Sequence, residues 1–292
     1  MTTVYYTCSF VPPELIKACG CTPVRLVPSK PNTPFSNAEG MCSYARSWLQ
    51  ALSELYREEN PVVIFTTGCD QMRRAYDFYR RECNNDCFLL DVPSMDTMDS
   101  FEYYCDELKR LQNFLCRCSQ NQFDRDILSE LMLNHFPVTQ WPDNDNSPKI
   151  AFTGGPLSQS IRNDVNDIIN GYNGCVYFDA TEDQLSRSCI KFNPESIQQD
   201  TLSELTRAYF MLPAIWKRPN TSFIDYFCNQ SRQRSIDGVI IFRHVFCDMW
   251  SSQLFEFKRR LSVPVIDINL EDSACLAESA VSRIHSFMEI LR

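Results

Sequence analysis

The chain has 292 residues, of which 44% are hydrophobic and 22% charged, with a net charge of −9. Those proportions are ordinary for a globular protein, and the length suits about two domains. The acidic balance argues against a general nucleic-acid binder, because phosphate neutralisation needs clustered Lys and Arg, and against docking on an anionic membrane.

No stretch approaches the roughly 20 apolar residues of a membrane helix. The amino terminus, "MTTVYYTCSFVPPEL", has no basic region followed by an apolar run, so no signal peptide and a cytoplasmic location are expected. The 15 cysteines are many for that compartment, where disulfides are rare. The excess points to metal or cluster ligation, or to an anaerobic setting in which thiols escape oxidation.

In chain order, strands are expected at Thr22–Pro28, Val62–Thr67, Cys87–Val92, Lys149–Gly154, Cys175–Ala180, Asp237–Phe242 and Val263–Leu270. Most are continuous apolar runs, the mark of parallel strands buried on both faces. Helical spacing follows Cys42 (Ala45, Trp48, Leu49, Leu52, Leu55), Cys69 (Met72, Ala75, Tyr76, Tyr79), Gly155 (Leu157, Ile161, Val165, Ile168) and Cys247 (Trp250, Leu254, Phe257, Leu261). A long helical region is expected from about Ser100 to His135. The polar stretch Thr139–Lys149, with two prolines, marks a boundary. The expected domains are 1–145, an α/β domain with a helical segment, and 146–292, a second α/β domain. The fold class is therefore α/β: two doubly wound, flavodoxin- or Rossmann-like domains with parallel sheets and additional helices, and a ligand site in the cleft between them.

Cys69, in "TTGCDQM", and Cys247, in "HVFCDMW", each follow a strand, precede an aspartate and open a helix. Cys42, in "EGMCSYAR", opens another. A helix N-terminus lowers a thiol pKa and favours bound anions. No Cys-x-x-Cys spacing joins these three, as a structural zinc site would show. "CRC" (Cys116–Cys118) and "CNNDC" (Cys83–Cys87) lie in or beside helical stretches. Three dispersed thiolates fit an iron–sulfur cluster with one open or exogenously ligated iron. They equally fit three inert core cysteines.

The remaining candidates have bland readings beside them. Glu14 is a proton-transfer carboxylate or a first-turn helix acid. Gly154 and Gly155, in "TGGP", cradle a phosphate or substrate carbonyl, or simply turn the chain. No Walker or Rossmann pattern accompanies them. His244 donates to a sulfur, moves a proton, or is structural. Asp179 caps a turn. Trp250, Phe257 and Tyr76 read as helix core.

The chain resembles the 2-hydroxyacyl-CoA dehydratase and benzoyl-CoA reductase family of iron–sulfur subunits, with a D-component-like pattern. "YTCSFVPPELIKACGCTPVRL" is similar to that family's amino-terminal Pro-x-Glu-Leu helix and following turn. "MCSYAR", "TTGCDQMRRAYD" and "DGVIIFRHVFCDMWSSQLFEFKRRLSVPVIDINLED" resemble its three cluster-cysteine segments, and "FTGGPL" the start of its second domain. The resemblance implies that Cys42, Cys69 and Cys247 ligate a 4Fe–4S cluster. It implies an ATP-dependent activator ATPase that delivers single electrons, and an acyl-CoA substrate whose thioester becomes a ketyl radical that expels the 2-hydroxyl group. It also implies a homologous partner subunit, in a hetero- or homodimer. Cys8 matches a cysteine of the double-cubane branch, where one chain holds an 8Fe–9S cluster and reduces small molecules. Cys19, Cys21 and Cys228 are further candidate ligands on that reading. A third alternative is a non-catalytic electron relay.

Overall fold

Short runs of β-branched and aromatic residues build two parallel sheets, and amphipathic helices cover them. A computed structural model describes residues 2–28, 40–58, 61–82, 86–135, 147–185, 189–271 and 274–292. The chain divides into two compact units. One comprises Met1–Leu26, Leu52–Val138 and Ser186–Pro219, the other Val27–Ala51, Thr139–Leu185 and Asn220–Arg292.

In the first unit, β1 (Thr3–Tyr6), β2 (Thr22–Arg25), β3 (Val62–Thr66) and β4 (Cys87–Leu90) lie in the order β2-β1-β3-β4, all parallel. In the second, β5 (Lys149–Gly154), β6 (Cys175–Thr181), β7 (Gly238–His244) and β8 (Val265–Leu270) lie in the order β6-β5-β7-β8, again parallel. Each sheet starts near its middle, steps one way, then returns and steps the other. The order thus reverses between β1 and β3, and between β5 and β7. Such a switch point leaves a crevice beyond the carboxyl ends of the two central strands, where α/β sheets bind ligands. The α/β fold expected from the sequence is the one observed.

Helices α1 (Pro13–Ala18), α3 (Asp70–Glu82), α4 (Met98–Ser119), α5 (Arg125–Leu133), α7 (Pro194–Gln199) and α8 (Thr201–Phe210) belong to the first unit. Helices α6 (Gln159–Gly171), α9 (Thr221–Gln233), α10 (Asp248–Arg260) and α11 (Glu278–Ile290) belong to the second. Helix α2 (Ser43–Glu58) begins in the second and ends in the first. The helical region expected from Ser100 to His135 is two helices. Gln120 ends α4 in the left-handed region at φ 58°, and the Asp124 carboxylate caps α5 by accepting from the Asp126 and Ile127 amides. Strand β1 is an addition to the expected set. Of the expected boundary, residues 139–146 lie outside those described.

Both faces of the second sheet are buried. Ile150 and Phe152 of β5, Ile240 and Phe242 of β7 and Ile268 and Leu270 of β8 pack with α6 and α11. Their neighbours Val239 and Ile241 point the other way and are buried too. Phe178 of β6 stacks on Phe227 of α9, and Phe223, Phe227, Trp250 and Phe257 interlock α9 with α10. The first core joins β1, β3 and β4 to α1, α4 and α8.

One glycine is dictated by the strand pairing. Gly154 has φ 126°, and a Cβ there would lie 2.0 Å from the Phe242 carbonyl oxygen. Gly154→Ala is expected to lower stability by about 2–4 kcal/mol or to prevent folding. Gly171→Ala, at the end of α6 with open space around it, is expected to be neutral or to stabilise by about 0.5–1 kcal/mol. Urea unfolding midpoints of the two variants check the contrast.

Candidate functional site

At the switch point of the second unit, three turns meet around one histidine. His244 ends β7. Its Nε2 lies 2.8 Å from the Pro156 carbonyl and its Nδ1 3.0 Å from the Ser43 hydroxyl. A carbonyl only accepts, so Nε2 carries the proton and Nδ1 is an acceptor facing the Ser43 hydroxyl, whose single proton is shared between Nδ1 and the Leu270 carbonyl. The same hydroxyl reaches the Leu270 carbonyl at 2.9 Å. Burial holds the ring neutral, with its pKa lowered from 6.5 to about 4. The Tyr44 ring packs beside it at 5.3 Å. A Cβ on Gly155 would meet the histidine ring at 2.8 Å, so glycine is needed for this close approach.

Two of these turns lead to a thiol. Ser43 follows Cys42, whose sulfur accepts from the Ala45 amide at 3.4 Å at the start of α2. Three residues after His244, Cys247 stands at the N-cap of α10, where its side chain makes no cap hydrogen bond. Between them the chain turns through Phe246 at φ 67°. Burial pushes the Cys42 thiol up to about 11 and the Cys247 thiol up to about 12. The Glu182 carboxylate adds to the rise at both, and Cys42 adds to it at Cys247. Arg46 and the backbone amides oppose it at Cys42. The lowering expected from helix N-termini is therefore outweighed, because desolvation of a buried thiolate exceeds the pull of the amides. Glu182 is fixed by the Trp250 indole, which donates to its Oε1 at 2.6 Å, and by its own amide, which donates to the Gly154 carbonyl at 3.0 Å.

The "TGGP" turn offers few free donors. The Gly155 amide donates to the Phe242 carbonyl at 3.0 Å and the Leu157 amide to Asp183 at 3.1 Å, while Pro156 has none. Asp183 is paired with Arg162 at 2.8 Å, and Arg162 also pairs with Asp179. Asp179 accepts from the Thr181 amide and hydroxyl as well. It is thus a buried ion-pair partner in addition to a turn cap.

In the first unit, Cys8 and Cys69 stand just beyond the carboxyl ends of β1 and β3, the strands that flank that sheet's switch point. The Cys69 carbonyl accepts from the Met72 and Arg73 amides and opens α3. Gly68 lies against Trp216, which packs edge-on to Phe10 at 4.8 Å. Glu14 is buried in α1, accepts from the Tyr209 hydroxyl at 2.7 Å and lies 3.6 Å from His135 Nδ1.

Soft thiolates with backbone N–H groups aimed at the sulfur suit an iron–sulfur centre. Cys42 meets that description, Cys247 opens a helix in the same unit, and Cys69 opens one in the other. Among the described residues, no group of three or more His, Cys, Asp or Glu forms a ready metal cage. The residues fit as ligands and not as a preformed cage.

The profile of the 2-hydroxyglutaryl-CoA dehydratase D-component family matches residues 8–135 and 130–291. The chain belongs to that family. It is thereby a dehydratase-type component. No curated protein matches the sequence. Among solved structures it is similar to the laminin-binding protein Lbp of Streptococcus pyogenes, at 9% identity over all of this chain and 97% of that one, with a TM-score of 0.23. It is also similar to a mutant of the laminin-binding adhesin Lmb of Streptococcus agalactiae, at 7% identity over 100% and 98% of the chains, with a TM-score of 0.22. At those scores neither likeness bears on fold or function. No helix of the described residues is long and apolar enough to cross a membrane.

Sequence reasoning missed Ser43, Arg46 and Glu182. Ser43 had a usable signal, being next to Cys42. Glu182, in "DATEDQ", had none.

The neutral histidine makes a pH prediction. The unfolded chain takes up a proton at His244 near pH 6.5, and the folded chain refuses it until about pH 4. Stability is therefore fully present above pH 6.5 and falls by about 1.4 kcal/mol per pH unit below it on this group's account. His244→Gln lacks that loss. The stability gap between the two proteins, measured by urea unfolding, is expected to narrow by about 2.5 kcal/mol between pH 7 and pH 4.5.

Proposed function

We propose that this chain is the iron–sulfur subunit of a 2-hydroxyacyl-CoA dehydratase or benzoyl-CoA reductase-like enzyme, with Cys42, Cys69 and Cys247 as the cluster ligands. The observation that carries this reading is the repetition. Two sheets of the same strand order each lead from their third strand into a Cys-Asp helix start beside the switch point. Membership of the dehydratase D-component family supports it. When bound, a 4Fe–4S cluster supplies single low-potential electrons, received from an ATP-dependent activator, to an acyl-CoA thioester.

The chain's own residues hold and shield the ligands. The Ala45 amide orients the Cys42 sulfur, and Cys247 stands at the start of α10. Amide donors to a ligating sulfur tune a reduction potential. His244 keeps the two thiol-bearing turns together through Ser43. Burial of Cys42, Trp250 and His244 excludes water from these positions of the second unit.

Anaerobic reconstitution followed by iron and sulfide analysis tests this. About four irons per chain are expected. Cys42→Ser, Cys69→Ser and Cys247→Ser are each expected to lose most of that iron, whereas Cys275→Ser, at an exposed thiol, keeps it. A Cys69→Ser protein with full iron content sinks the ligand assignment. About eight irons, falling on Cys8→Ser, favours the double-cubane reading.

A further inference from the structure

Four cysteines outside the proposed ligand set converge at the other edge of the first sheet. Cys19 and Cys21 flank Gly20 between α1 and β2, and Cys116 and Cys118 flank Arg117 near the end of α4. The Cys19 sulfur lies 3.8 Å from the Gln112 carbonyl and the Cys21 sulfur 3.8 Å from the Leu115 carbonyl. In an α-helix the carbonyl of residue 112 accepts from the amide of residue 116. Cys19 therefore sits over the turn that carries Cys116. Ser119 fixes the two backbones to each other. Its hydroxyl donates to the Cys19 carbonyl at 2.7 Å and lies 3.3 Å from the Cys116 carbonyl.

Of the approaches among these four, that of Cys19 to the helical turn bearing Cys116 is held by Ser119. We propose that Cys19 and Cys116 form a reversible disulfide, which makes this edge of the sheet a modification site for small organic disulfides.

The two thiols are unequally placed. Cys19 is fully buried and Cys116 is partly exposed. A cavity of about 750 Å³, lined by Thr2, Gly20, Ser119, Asn121 and Asp124 among others, opens against the same turns. Gly20 holds φ 74°, and a Cβ there would meet the Asn121 side chain at 2.5 Å, so the turn between Cys19 and Cys21 is tightly fixed. The sequence of events follows from exposure. The Cys116 thiolate attacks a disulfide RSSR, forming Cys116–S–S–R and releasing one thiol. Cys19 then loses its proton and attacks the Cys116 sulfur, forming the intramolecular bond and releasing the second thiol. Two protein thiols and RSSR become one protein disulfide and two RSH. Cys19 is the more buried of the two thiols, so the second step is the slower one.

The full-length protein, reduced, desalted anaerobically and treated with 2-hydroxyethyl disulfide, tests this. Remaining thiols are alkylated before a non-reducing tryptic map. Arg117 separates Cys116, in peptide 111–117, from Cys118, in peptide 118–125. The expected product joins peptide 18–25 to peptide 111–117, with fragmentation placing the bond at Cys19. Cys116→Ser is expected to lower the bridged yield of Cys19 by roughly tenfold or more, and Cys118→Ser to leave it within about twofold. A lasting mixed disulfide on Cys116 with Cys19 still alkylatable overturns the proposal. So does a bridge to Cys118 or from Cys21, or no reaction at Cys116. The wild-type map decides by itself if Cys116→Ser does not fold.

Discussion

The buried imidazole of His244 is the constraint on which the second unit's site depends. A neutral imidazole has one donor and one acceptor. Here the donor holds Pro156, after β5, and the acceptor holds Ser43, at the start of α2, while the ring itself ends β7. Three chain segments far apart in sequence are thereby fixed at one end of the sheet. Both ring nitrogens are engaged, and desolvation makes the neutral form the stable one. The positions of Cys42 and Cys247 follow from this tie, since each lies one to three residues from a bonded group.

The thiols themselves illustrate a competition that a sequence does not settle. A helix N-terminus favours thiolate, while burial disfavours any charge. At Cys42 and Cys247 burial and the nearby Glu182 carboxylate outweigh the amides. Both groups therefore keep their protons at neutral pH unless a cation compensates. Low dielectric then works in the opposite sense, because it strengthens the attraction between a thiolate and a cation as much as it penalises a lone thiolate. Occupation by the proposed metal centre would therefore be linked to loss of the two protons. Glu182, locked by the Trp250 indole, makes the site more negative and deepens that linkage.

The fold was largely legible because its strands are buried on both faces. "VVIFT" and "GVIIF" are continuous apolar runs, which only a covered parallel sheet explains, and the Cys-Asp helix starts mark the ends of β3 and β7. Strand β1 escaped because "TVYY" is four residues long and alternates between buried and half-buried positions. Local pattern also could not show that residues 186–219 return to the first unit, since that depends on contacts between α4 and α8 that no periodicity encodes. The same limit applies to side-chain roles. Glu182 and Ser43 take theirs from partners 68 and 201 residues away.

Strand polarity separates two kinds of thiol in the first unit. The strands are parallel, so every carboxyl end lies at one edge of the sheet and every amino end at the other. Cys8 and Cys69 follow the carboxyl ends of β1 and β3, whereas Cys21 precedes the amino end of β2. Strands of four or five residues set these edges about 13–17 Å apart, at roughly 3.3 Å per residue. The space between is filled by Val4, Tyr6, Val62 and Ile64. Thiol–disulfide exchange requires sulfur to meet sulfur. The direction of the strands thus sets the proposed Cys19–Cys116 pair and the proposed ligand Cys69 at opposite edges of the first sheet.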